Sequence, residues 1–151
     1  AKALESQEFL DNILKESRGP LVILAMGTND AFGEHIAAPE QFAAVYEALV
    51  GAILASGRKA VLVTLPPLEN DKSQSQMFSG TNLDAYNAVV RAAGARHGLL
   101  VADINAVLTK LRLKTLVSQT VDGVHLTAAA AVVWRDTVYA VARQALAQPV
   151  K

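Results

Sequence analysis

Apolar residues first recur at helical spacing. Leu10, Ile13 and Leu14 share one side with Ser17, so Ala1 to Ser17 reads as an amphipathic helix that Gly19-Pro20 ends. The pattern then changes. Leu21 to Ala25 is an unbroken apolar run that leads straight into Gly27-Thr28-Asn29-Asp30. Such a run, ended by turn residues, predicts a parallel strand buried on both faces. Helical spacing returns after Pro39, which suits a first helical position. Phe42, Val45, Leu49 and Ile53 form the stripe, and Gly57 closes it. Lys59 to Leu65 is a second buried strand, stopped by Pro66-Pro67. Leu83, Tyr86, Val90 and Ala93 mark a helix from Asn82 to Gly98, and Leu99 to Asp103 a third strand. Ala106 to Leu116 predicts a short helix, basic on one side, and Val117 to Leu126 a loop. Thr127 then caps a long helix whose stripe is Trp134, Val138, Val141 and Ala145.

Two stretches have no period. Ala31 to Ala38 is a loop holding His35, and Leu68 to Thr81 is polar and irregular, with Asn70, Asp71, Met77 and Phe78. A loop as long as the second is either functional or disordered.

Strands alternating with helices predict an α/β fold, a three-layer sandwich around a parallel sheet with right-handed crossovers. Without a repeat or a linker, residues 1–151 are expected to form one domain or most of one. The sheet is lean, with three short strands for five helices. Its first strand is also too apolar for an edge, because edges carry charge, proline or a bulge against foreign pairing. A further strand is therefore expected beside Leu21 to Ala25.

Composition narrows the function. The 151 residues are 52% hydrophobic and carry zero net charge with scattered basic residues. A real core is expected, and nucleic acid is excluded as a partner. Lys110, Arg112 and Lys114 form a basic cluster too small to change this. The absence of cysteine excludes disulfides and thiolate chemistry. No apolar run is long enough to span a membrane, and no signal peptide opens the chain, though a processed secreted protein would look the same. The histidines and carboxylates lack metal-ligand spacing, so neither metal nor cofactor is implied.

Two stretches could carry chemistry. Ligands of open α/β sheets bind beyond the carboxyl ends of the strands, where Asn29 would present an amide donor. The same four residues also favour plain turns, and both readings stay open from this stretch alone. Asp122 and His125 stand three apart in a loop with Gly123. That spacing lets the carboxylate hold one ring nitrogen while the other faces outward, the orienting logic of a general base. A capping turn with an incidental histidine has the same spacing. Elsewhere, His35 reads as a loop residue, His97 as a helix C-terminal cation, and Asp103 and Asn105 as a turn.

Taken together, LVILAMGTND and the later VDGVHLT resemble the SGNH, or GDSL-type, hydrolase family. The resemblance covers essentially the whole chain, including the Pro-Pro after the second strand and the closing helix. It implies a flavodoxin-like sandwich with its catalytic residues at the strand ends, and esterase or lipase activity on a small-molecule ester. By position, His125 would be the base, Asp122 its orienting acid and Asn29 an oxyanion donor, with Asp30 structural. Thr28, Pro67 and Val124 would border the substrate. Met77 and Phe78 could form an acyl rim or pack on the domain. The residues leave the compartment open, and the resemblance only leans towards a periplasmic or secreted location.

The family's nucleophile lies in a Gly-Asp-Ser block on its first strand, and a glycine in the next block gives a second oxyanion donor. Neither block is present here. The first strands are thus expected to be missing from these residues, and the serine to come from an upstream segment or a second chain. None of Ser6, Ser17, Ser56, Ser73, Ser75, Ser79 and Ser118 follows a buried strand in a sharp turn, and Ser79 is the least unsuitable. A second reading is an SGNH-like domain without a nucleophile that binds a ligand or partner. A Gly-Asp-Ser block upstream of Ala1, or in a companion polypeptide, separates the two. A receiver or nucleotide domain is disfavoured, because acidic clusters and a phosphate-cradling glycine loop are absent from the strand ends.

Overall fold

The computed structural model describes residues 6–31, 38–69 and 83–149. The elements run α1 (Ser6–Glu16), β1 (Leu21–Leu24), α2 (Pro39–Ala55), β2 (Lys59–Val63), α3 (Leu83–His97), β3 (Leu100–Ala102), α4 (Ile104–Thr115) and α5 (Ala128–Ala147). The three strands are parallel, in the order β1-β2-β3, with Leu21 opposite Lys59 and Val61 opposite Leu100. Helices cover both faces, which makes the expected three-layer sandwich.

Alternation along β2 divides the core. Ala60 and Leu62 face α2 and α3, where Phe42, Tyr46, Leu49, Ile53, Tyr86 and Val90 are fully or almost fully buried. Val61 and Val63 face α4 and α5, packing with Ile104, Leu108, Ala130, Val138 and Trp134. Phe42 stacks on Tyr86 with ring centroids 4.1 Å apart. Burial of an aromatic ring of this kind stabilises the fold by roughly 1.5–3 kcal/mol. Close approach of α3 to β3 requires Gly94, since a Cβ there would collide with a Val101 methyl.

Capping follows the sequence at most ends. Pro39 opens α2, and Gln41 Oε1 accepts from the Ala38 amide at 3.1 Å. Thr127 Oγ1 accepts from the Ala130 amide at the start of α5. Asp103 departs from its turn reading: it is the N-cap of α4, accepting from the Ala106 amide at 3.1 Å. It also forms a two-bond pair with Arg91 and accepts from the Thr64 hydroxyl. Asn105 lies inside α4 for the same reason.

β2 stops at Val63 because the chain finds another partner. The Asn87 side chain accepts from the Leu65 amide at 2.7 Å and donates to the Leu65 carbonyl at 3.2 Å. Leu65 therefore needs no neighbouring strand. At the other end of the order, β1 has no partner on its outer side among the described residues, and Ile23 is 44% exposed. No helix among these residues is long and apolar enough to cross a membrane.

Candidate active site

Parallel pairing puts the carboxyl ends of all three strands on one edge of the sheet. Past β1, the chain turns at Gly27, which has φ +122°. A Cβ at Gly27 would meet the Phe42 ring at 2.9 Å, so both the turn and the packing demand glycine. Asp30 donates its amide to the Gly27 carbonyl at 3.2 Å, and Asn29–Ala31 closes as a 3-10 turn. Asp30 is buried, and its carbonyl accepts from the Tyr86 hydroxyl. Asn29 points out of this rigid turn with its side chain exposed and not hydrogen-bonded to any described residue. Thr28 and Asn29 border a hollow of about 160 Å³ with Met26 and Gly27.

The second half of the site is the loop before α5. An antiparallel bridge joins Thr120 to Leu126, and the Val121 amide donates to the His125 carbonyl at 2.8 Å. Inside this narrow loop, Asp122 Oδ1 accepts from the amides of Val124 (3.0 Å) and His125 (2.8 Å). Those two bonds turn the chain so that the His125 ring folds back, with Nδ1 2.6 Å from Asp122 Oδ2. The His125 amide, then its ring, then the Val124 amide hold the Asp122 carboxyl down at about 2. An ionised carboxylate can only accept, so Nδ1 carries the proton of this contact, which in the neutral imidazole leaves the lone pair on Nε2. Nε2 bonds to no described residue, and the His125 side chain is 73% exposed. Asp122 and His125 thus meet as the spacing predicts.

What holds this loop was not legible in the sequence. Glu69 is 1% exposed and lies just past Pro66-Pro67. Its carboxylate accepts from the Gln119 amide and the Thr120 hydroxyl, both at 2.7 Å, and from the Ser118 hydroxyl. Arg112 Nε lies 3.6 Å away. These donors outweigh desolvation and bring the Glu69 carboxyl down to about 2. The Glu69 amide in turn donates to the Gly123 carbonyl at 3.0 Å. The His125 loop is therefore tied to the carboxyl end of β2, on the same edge of the sheet as Asn29.

A family model for the GDSL-like lipase/acylhydrolase family matches residues 4–132. The chain belongs to this family. Solved structures agree on the fold. An α/β hydrolase enzyme from the metagenome of Lake Arreo, Spain, superposes with a TM-score of 0.77 at 17% identity, over 95% of this chain and 68% of that one. An acetyl xylan esterase gives 0.76 at 18%, over 93% and 75%. A lipase/acylhydrolase from Enterococcus faecalis gives 0.72 at 19%, over 90% and 70%. No curated protein sequence matches the chain.

Other features of this GDSL-like domain stand apart from the histidine. Ser56 donates to the Ile53 carbonyl, Ser118 to Glu69 and the Thr120 carbonyl, and Ser17 precedes β1 at the opposite end of the sheet. Ser73, Ser75 and Ser79 lie outside the described residues, as do His35, Asn70, Asp71, Met77 and Phe78. His97 pairs with Glu47 at 2.8 Å at the end of α3. Near it, a cavity of about 290 Å³ includes Arg58 and Lys59, whose ammonium caps the Ala145, Leu146 and Gln148 carbonyls. Those cations answer helix C-termini. Among the described residues no cluster of three or more His, Asp or Glu could hold a metal.

Pro67 lines a groove of about 520 Å³ with Leu68, Thr109, Arg112, Leu113 and Leu116. Leu116 adopts φ +56° as the C-cap of α4 and is 88% exposed. Leu113, Val117 and Val121 are exposed too. Val124, the third residue expected to border the substrate, is half-buried beside the His125 pair.

Proposed function

We propose that this GDSL-like domain contributes the base and an oxyanion donor to a serine ester hydrolase. The observation that carries the reading is the 2.6 Å contact between His125 Nδ1 and an ionised Asp122, with Nε2 left open. In the reaction, a serine hydroxyl adds to the ester carbonyl carbon as His125 Nε2 takes its proton. The carbonyl oxygen becomes an oxyanion, which the Asn29 amide stabilises. Collapse breaks the bond to the alcohol, which leaves with the proton from Nε2 and gives an acyl-serine. Water then adds in the same way, its proton passing through His125 to the departing serine oxygen, and the acid is released.

The serine belongs to a Gly-Asp-Ser block outside these 151 residues, on an upstream segment or a companion chain. Two features support this. No such block occurs in the sequence, and the apolar outer edge of β1 is suited to pairing with another strand. The substrate is a small-molecule ester bordered by Thr28, Pro67 and Val124. Because one of the fold neighbours is an acetyl xylan esterase, acetyl esters of sugars and aryl alcohols are the first to assay.

Asn29 gives the most specific test of this arrangement. With the serine supplied, Asn29→Ala should lower kcat about 10²–10³-fold and change KM little, since the amide meets charge that develops only in the transition state. Its exposed side chain predicts unchanged stability. Equal kcat in the variant and the parent would remove Asn29 from the oxyanion site.

A further inference from the structure

We propose that Glu69 is a positioning residue for His125, holding the loop in which Asp122 and His125 meet. The inference rests on the reading of His125 as the base, but its structural content can be measured without any ester. Glu69 receives hydrogen bonds from three consecutive residues, Ser118, Gln119 and Thr120, and its own amide reaches Gly123. It therefore grips the loop on both sides of Asp122.

Thr120 carries that grip inward. Its hydroxyl donates to Glu69 Oε2 at 2.7 Å and accepts from the Gly123 amide at 3.1 Å. A hydroxyl has one proton and a carboxylate can only accept, so the Thr120 proton points at Glu69 and the Thr120 oxygen is left to accept from the Gly123 amide, which can only donate. Gly123 has φ +97° and separates Asp122 from Val124, whose amide helps to fix the Asp122 carboxylate. One buried anion thus orders a continuous set of bonds ending at the His125 ring. Thr127 to Gln119 at 2.9 Å fastens the base of the loop and Val121 to His125 at 2.8 Å closes its neck, but neither reaches Gly123. A buried carboxylate used merely for stability would be costly to retain, because apolar replacement of a buried charged pair is commonly neutral or stabilising.

Glu69→Gln keeps the shape and removes the charge. The amide's NH2 cannot accept from Ser118 or Thr120 as the carboxylate oxygen does, so a contact to the loop is lost and Thr120 Oγ1 is no longer held in place for the Gly123 amide. Hydrogen exchange and the imidazole proton spectrum of the chain report the result directly. The amides of Gly123 and His125 should exchange about tenfold faster or more, the loss of one charge-assisted hydrogen bond. The Nδ1 proton signal of His125 should broaden or vanish, while the amide of Leu62 in β2 should exchange as in the parent. Thr120→Val removes only the inner link. It should speed exchange at Gly123 and His125 while leaving Gln119 protected by Glu69. In the esterase-active protein, Glu69→Gln should lower kcat and leave KM unchanged.

Parental exchange at Gly123 and His125 in either variant would overturn the proposal. So would a loss of protection shared equally with Leu62, since that is general destabilisation. Failure of the esterase reading shows differently: the loop loosens as stated, but no ester turnover depends on His125.

Discussion

In the esterase-active protein, His125→Ala lowers kcat about 10⁶-fold, because the members of a nucleophile–base–acid set act as one unit. Without Nε2 the serine proton has no acceptor, and the alcohol leaves without a donor. Oxyanion and binding contributions alone leave roughly 10³–10⁴-fold acceleration over water. The fold should hardly notice the change. The ring is 73% exposed, and its described hydrogen bond is to Asp122. Substitutions of this kind usually move stability within about 0.5 kcal/mol. The measurement is kcat on an aryl acetate beside a thermal melt. In the parent, kcat/KM should also rise with pH as the imidazolium gives up its proton, since only neutral imidazole can accept. Retention of most activity by His125→Ala would show that another group is the base.

The second large effect comes from Asp122→Asn, which should reduce kcat about 10⁴-fold with little change in fold. Asparagine keeps an oxygen for the amides of Val124 and His125, so the turn survives. Its amide, however, donates to Nδ1 where the carboxylate accepted. The ring then carries its proton on Nε2, the position that must be empty to take the proton from serine. Backbone geometry and catalytic tautomer are thereby separated. A fully active Asp122→Asn enzyme would mean that the 2.6 Å contact orients nothing relevant to the reaction.

Features visible from the sequence are those whose causes are local. Asp122 and His125 touch because both sit in one tight turn, and three-residue spacing suffices to place them. Pro39, Thr127 and the stripe through Phe42, Leu49 and Ile53 work in the same way, each within a turn or two of its partner. Gly27 was legible as a turn, while its second constraint, the Phe42 ring, belongs to another element. Glu69 escaped notice because its partners lie fifty residues downstream, and no local pattern marks a buried acid. The end of β2 moved from Leu65 to Val63 because of Asn87, an interior helix residue that serves as a substitute strand partner. Asp103 is a cap for the matching reason: Arg91 and Thr64 fix it from two other elements.

The expectation of a strand beside β1 rests on the apolar run Leu21 to Ala25, which lacks charge, proline or a bulge, and Ile23 is exposed at that edge of the sheet. That edge and the absent Gly-Asp-Ser block would be satisfied together by one segment bearing both a strand and the serine. A fluorophosphonate probe, which bonds to activated serines, gives the most direct measurement. The 151-residue chain by itself should form no adduct. Combined with a segment bearing Gly-Asp-Ser, it should produce stoichiometric labelling on that segment's serine, abolished by His125→Ala. Stoichiometric labelling of a serine within the isolated chain would contradict the account.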